Sequence, residues 1–207
     1  MPITFTKVDF PYGWLGNMAP FPVMYEGKKW RTTEALFQAL RFADSHSHQR
    51  IRAKKSPMGA KMTAKAIAKA HPEKLVVERM GRQDLANLKL VLRLKLKQHP
   101  ELKQQLLDTG DETIIEDSSN RKGLSARFWG AAFKDGHWVG ENMLGKVWMK
   151  LREELKGKFE RKKKQAGKVV APPSSDDALK TILKVKSWAA EVGGMERLKA
   201  LAEALSE

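Results

Sequence analysis

The chain contains no cysteine in its 207 residues. That absence excludes disulfide scaffolds, cysteine-ligated zinc, iron–sulfur clusters and thiol catalysis. Long apolar runs are also missing, and no uncharged stretch approaches the roughly 18 residues needed to span a bilayer. The first ten residues carry Lys7 and Asp9 in place of a continuous apolar segment, so no signal peptide is visible and a cytoplasmic protein is expected. There is no phosphate-binding Walker loop, no GxSxG nucleophile elbow and no repeat of 20–50 residues. His46 and His48 form an HxH pair, but the other three histidines are scattered. This is poor spacing for a metal site, so neither metal nor cofactor is expected.

What is abundant is positive charge. Lys and Arg total 39 against 24 Asp and Glu, a formal charge of +15. Residues 165–207 hold six basic and six acidic residues, so the whole excess lies in residues 1–164. Such an excess speaks of phosphate-bearing partners rather than of fold.

Residues 1–30 are punctuated by Pro and Gly, which suits short strands, with a hairpin at Glu26–Gly27 flanked by Val23, Tyr25 and Lys29–Trp30. Thr32 or Thr33 caps a helix running to about Ala43, with Leu36, Ala39, Leu40 and Ala43 on its apolar face. Ser56 followed by Pro57 opens a second helix that ends before His71–Pro72. A longer helix spans about Asp84 to Gln98, with Leu85, Leu88, Leu92 and Leu96 on one side, and Pro100 starts a short one closed at Gly110. Thr113–Glu116 reads as a strand and 117–141 as loop. Asn142 caps a last helix with the stripe Leu144, Trp148, Leu151, Leu155 and Phe159. The expected organisation is a domain over 1–160, a basic and Pro/Ser-rich linker over 161–177, and a helical hairpin over 178–207 divided at Gly193–Gly194. That hairpin would serve oligomerisation or a partner.

Three constellations carry chemistry. At about 100° per residue, Glu34, Gln38 and Arg41 share a helix face. The plain reading is a solvated face. The functional reading is a carboxylate, an amide and a guanidinium presented with Trp30 to a sugar and its phosphate. Ser56-Pro57-Met58-Gly59-Ala60-Lys61 is either a simple cap or a helix terminus that binds anions, with Lys61 just inside. Trp129-Gly130 and Asn142-Met143-Leu144-Gly145 place glycines where backbone approaches closely, and Asn142 either caps its helix or holds a ligand.

In order along the chain, Tyr12–Asn17, Trp30–Phe42, Ser56–Lys61, Leu94–His99, Trp129-Gly130 and Asn142–Gly145 resemble the NADAR superfamily over about residues 4–157. Its members include YbiA-like N-glycosidases, which cleave ribosylamino intermediates of the riboflavin pathway. Others remove ADP-ribose from guanine in nucleic acid. The resemblance implies a compact, YbiA-like, mainly α-helical (α+β) fold with a few short strands. It also implies hydrolysis of an N-glycosidic bond at ribose C1 next to phosphate. Glu34 would be the acid/base or ribose-orienting carboxylate. Asn17, Trp30, Gln38, Trp129 and Asn142 would line the ligand, and Lys61 and Lys95 are the lysines in the family motifs. Lys61, ahead of Lys95, is the candidate for a Schiff-base nucleophile. The acid that members often carry before Trp-Gly is replaced here by Ala126-Arg127-Phe128. The basic balance leans the expected substrate toward ADP-ribosylated guanosine or nucleic acid, ahead of a phosphoribosyl small molecule. The competing class is a nucleic-acid-binding module without chemistry.

Overall fold

The computed structural model describes residues 1–166 and 175–204. The chain divides into two units, Met1–Phe159 and Glu160–Glu207.

The first unit begins with β1 (Ile3–Phe5) and the hairpin β2 (Val23–Tyr25) and β3 (Lys28–Trp30). Glu26 and Gly27 both adopt positive φ, 47° and 69°, as a two-residue hairpin turn requires. Then come α1 (Thr33–Ala39), α2 (Ser45–Arg52), α3 (Pro57–Ala70), α4 (Arg82–Gln98) and α5 (Glu101–Asp108). β4 (Ile114–Glu116) pairs in parallel with β1, Phe5 standing opposite Glu116. α6 (Leu124–Trp129), the hairpin β5 (Ala132–Lys134) and β6 (His137–Val139), and α7 (Met143–Ala166) follow. The expected mainly helical α+β class is what the chain adopts.

Three local readings need correction. α1 stops at Ala39, and the chain then turns so that Phe42 bridges Leu75. Asp44 caps α2 by accepting from the Ser47 N–H at 2.9 Å, a helix the HxH reading overlooked. The segment read as loop contains α6 and a hairpin turning at Asp135–Gly136, whose φ values of 47° and 83° mark the same turn type as Glu26–Gly27.

The core is one cluster. Trp148 of α7 is fully buried, donates its indole N–H to the Leu15 carbonyl at 2.8 Å and meets Trp14 edge-on. The α7 stripe is buried at Leu144, Trp148 and Leu151, whereas Phe159 is exposed. The basic run that was read as part of a linker continues this helix to Ala166.

In the second unit, α8 (Ser175–Val192) and α9 (Met195–Ala204) are separated by Gly193 and Gly194, both at positive φ. Leu179, Ile182, Leu183 and Trp188 are exposed. Of the expected linker, 167–174 lie outside the described residues, as do 205–207 of the hairpin. Among the described residues no helix is long and apolar enough to cross a membrane.

Candidate active site

A cavity of about 920 Å³ opens in the first unit. Its helical wall comes from α1 (Glu34, Phe37, Gln38) and Arg41 just after it, from Lys61 and Lys65 of α3, and from Arg79 and Met80 before α4. A second wall comes from Glu116 at the end of β4, Arg121 and Lys122 after it, and Ser125, Ala126 and Trp129 of α6. Lys7, Asp9 and Asn17 are also among the lining residues.

The helical wall is set by a chain of bonds running back from Glu34. Thr32 caps α1 by accepting from the Ala35 N–H at 3.2 Å. The Glu34 N–H donates to the Asn17 carbonyl at 2.9 Å, and the Thr33 hydroxyl donates to that carbonyl at 3.1 Å. All seven residues of α1 are buried, so the polar stripe faces the interior and the cavity rather than bulk solvent. Asp84, fully buried on α4, takes both Arg41 Nε and a terminal Arg41 nitrogen at 2.8 Å each. The other terminal nitrogen of Arg41 donates to Gln38 Oε1 at 2.8 Å, and Gln38 Nε2 donates to Glu34 Oε1 at 2.8 Å.

This relay has a fixed polarity. A guanidinium only donates, so the Gln38 oxygen must face Arg41 and its NH₂ must face Glu34. Glu34 Oε1 is thereby an acceptor, and no protein group among the described residues bonds Oε2. Asp84 also accepts the Met80 N–H at 2.8 Å, which fixes the turn carrying Arg79 into the cavity.

The strand wall presents Glu116, which sequence reasoning missed. One carboxylate oxygen lies 3.0 Å from an Arg121 nitrogen, and the other is buried without a hydrogen-bond partner among the described residues. Burial is the main force pushing this carboxyl above the ordinary glutamate range, with the Glu34 charge adding to it; the Arg121 and Lys61 cations oppose it. Its position at a strand end before a loop with a basic residue is too common a pattern to mark it in one dimension.

Of the candidates, the structure brings Glu34, Lys61, Asn17, Gln38, Arg41 and Trp129 to the cavity. Trp129 stacks edge-on against Phe37 at 5.6 Å. Lys95, Trp30, Gly130, Asn142 and Gly145 are not among its lining. Lys95 is fully buried on α4 and donates to the carbonyls of Trp14 and Gly16. Burial brings its ammonium down to about 7. It holds the loop leading to Asn17. Trp30 is core, packed edge-on to His48 at 6.2 Å.

Asn142 sits at positive φ, 49°, donates to the Ile114 carbonyl at 2.8 Å and accepts the Glu116 N–H at 3.1 Å. A Cβ on Gly145 would stand 2.1 Å from the Ile114 carbonyl oxygen, and one on Gly130 would stand 2.3 Å from that of Glu116. These glycines permit close approach of backbone to backbone rather than to a ligand. Ser56 caps α3 by accepting from the Gly59 N–H at 3.0 Å, so part of the expected anion site is already occupied by its own cap. His48 Nε2 lies 2.7 Å from the Phe42 carbonyl, within the fold of α2.

Residues 4–156 match the family described as the NADAR domain. Over 153 residues the chain is 34% identical to the N-glycosidase YbiA of Escherichia coli (strain K12), spanning 74% of this chain and 88% of that protein. It is 30% identical over 168 residues to the N-glycosidase Npun_R5314 of Nostoc punctiforme, spanning 75% and 94%. The NMR structure of the E. coli protein YbiA superposes with a TM-score of 0.61 at 30% identity, covering 77% of this chain and 89% of that one. The match over most of the chain to relatives named N-glycosidases, with the α+β fold of one of them, places the chain among the glycosidase enzymes. The chain belongs to the NADAR family.

Proposed function

We propose that this cavity cleaves the bond between ribose C1 and a base nitrogen on a substrate carrying phosphate, with ADP-ribose on a guanine base as the preferred form. The observation that carries this reading is the charge around Glu34. Arg41 is paired with Asp84, yet Lys7, Lys61, Lys65, Arg79 and Lys122 also line the cavity and make no salt bridge among the described residues. Five such cations exceed what one phosphate monoester needs and suit a diphosphate. A cavity of about 920 Å³ lies toward the upper end of the usual ligand-site range of about 300–1,000 Å³.

Cleavage at C1 develops positive charge on C1 and the ring oxygen. The free Oε2 of Glu34 is the group offered to a ribose hydroxyl or to an attacking water, while Oε1 is held by Gln38. Lys61 supplies a second route, in which its amine bonds C1 of the opened sugar, the base departs, and water hydrolyses the imine. Lys95, bonded to two carbonyls away from the cavity, is not the nucleophile in this reading.

The test is a side-by-side assay of ADP-ribosylated guanosine and a ribosylaminopyrimidine phosphate. ADP-ribose release from the first should be the faster, and Glu34→Gln should lower it about 100- to 10,000-fold. No release from either substrate would overturn the reading. Borohydride trapping of a lysine adduct that disappears in Lys61→Met selects the imine route, and its absence selects water. For guanine held in DNA, turnover below saturation should fall as salt rises, because each phosphate contact releases counterions.

A further inference from the structure

The mechanism above leaves the buried Glu116 carboxyl without a task and one chemical requirement without a group. A guanine or pyrimidine nitrogen leaves C1 readily only when it takes up a proton. Glu34 Oε1 is committed to the Gln38 amide, and Oε2 is the oxygen left for the attacking water or a ribose hydroxyl.

We propose that Glu116 is the proton donor to the departing base. The inference rests on the cavity being an N-glycosidase site. Three features fix where this carboxyl stands. The Glu116 N–H donates to Asn142 Oδ1 at 3.1 Å, and its carbonyl accepts the Ala131 N–H at 2.9 Å. Gly130 lies so close that a Cβ would meet the Glu116 carbonyl oxygen at 2.3 Å. Residues whose sequence pattern suggested ligand contact thus hold the backbone of one acidic residue.

The two carboxyl oxygens are unequal. Oε1 is tied to Arg121 at 3.0 Å, whereas Oε2 is buried with no partner. An ionised oxygen buried without a donor is costly. Protonated, that same oxygen becomes a donor that lacks only an acceptor, and a base nitrogen entering the cavity supplies one. The groups facing it are Arg121 from the loop after β4, Glu34 from α1 and Lys61 from α3, and burial outweighs the two cations in pushing its carboxyl up. Two carboxyls in one site, one with an oxygen left to accept and one with a buried oxygen that favours its proton, can serve as base and acid.

The step balances without a further reactant. The Glu116 proton passes to the base nitrogen, and the C1–N electron pair leaves with the base. The oxygen of water, or first the nitrogen of Lys61, bonds C1. The proton lost by that water goes to Glu34 and then to solvent, and Glu116 is reprotonated from solvent. The net change is addition of one water across the bond.

The test compares two leaving groups. Glu116→Gln should lower kcat on ADP-ribosylated guanosine about 100- to 10,000-fold. It should leave p-nitrophenol release from p-nitrophenyl ribofuranoside 5-phosphate within about threefold, because nitrophenolate departs without a proton. Equal losses on both, or no loss on the guanine substrate, overturn the proposal. A readout independent of turnover is the carbon-13 carboxyl titration of the wild-type protein labelled at glutamate. The Glu116 signal should titrate above the ordinary glutamate range, and higher still in Arg121→Met. Titration in the ordinary range overturns the proposal whether or not Glu116→Gln folds. If the signal titrates high but the wild type releases neither base, the glycosidase reading fails while the neutral buried acid stands.

Discussion

The two walls of the cavity present a glutamate each, by opposite means. On the helical wall Glu34 is held through its side chain, by a relay of Gln38, Arg41 and Asp84 that joins α1 to α4. On the strand wall Glu116 is held through its backbone, by Asn142, Ala131 and the close fit of Gly130, while one side-chain oxygen has no partner. The difference teaches what each wall can do. On the first, one oxygen is fixed by a donated bond and the other is left for substrate; on the second, burial pushes the carboxyl up despite the Arg121 cation beside it.

The strongest way to break this comparison is Asp84→Ala. It leaves the Arg41 guanidinium buried without its bidentate partner, and stability should drop by about 3–5 kcal/mol in urea unfolding. Below the new midpoint, Glu34-dependent turnover should fall while the high Glu116 titration persists. Gly145→Ala attacks the other wall. Its Cβ would meet the Ile114 carbonyl oxygen at 2.1 Å, so the start of α7 must shift from β4 at a cost of about 1–3 kcal/mol. The expected signature is a disturbed Glu116 titration with the Asp84–Arg41 pair intact.

Lys95 tests the loop that feeds the helical wall. Its ammonium, brought down to about 7 by burial, returns toward the ordinary 10.5 on unfolding. The unfolded chain therefore binds the extra proton within that window, and this group's contribution to stability rises with pH across it. Wild type should gain on Lys95→Met between about pH 7 and pH 10 when unfolding is measured at several pH values. The smallest effect belongs to neither wall. Glu154, hydrogen-bonded by Lys89 and Arg93, has its carboxyl lowered to about 2. It is about one-third exposed, so Glu154→Gln should cost no more than about 1 kcal/mol at neutral pH and leave turnover unchanged. What stability it gives is full above the ordinary glutamate range and fades as pH falls toward 2.

Local chemistry was legible one residue at a time. The Thr32 cap, the Ser56–Pro57 start of α3 and the Glu26–Gly27 turn all follow from side chains that satisfy neighbouring backbone or tolerate positive φ. The Asp135–Gly136 hairpin carries the same kind of signal, inside a segment whose composition reads as loop. The placing of Glu34, Gln38 and Arg41 on one face was legible too, because a helix repeats its face every three to four residues. Whether that face meets water was not. A period names a face and leaves open what covers it, and here α3, α4 and the loop at Asn17 do so.

Sequence alone thus determined the helical class, the caps and the alignment of Glu34 with Gln38 along α1, since each depends on contacts within about four residues. It also determined where the positive charge lies, in residues 1–164 rather than in the hairpin that follows. Only the tertiary structure decided that Asp84 completes the relay from 43 residues away, that Lys95 props a loop, and that Glu116 shares the cavity with Glu34. Those pairings join segments whose spacing in the chain carries no record of their distance. They are selected by burial, which makes an unpaired charge costly and so forces each buried group to find a partner or keep its proton.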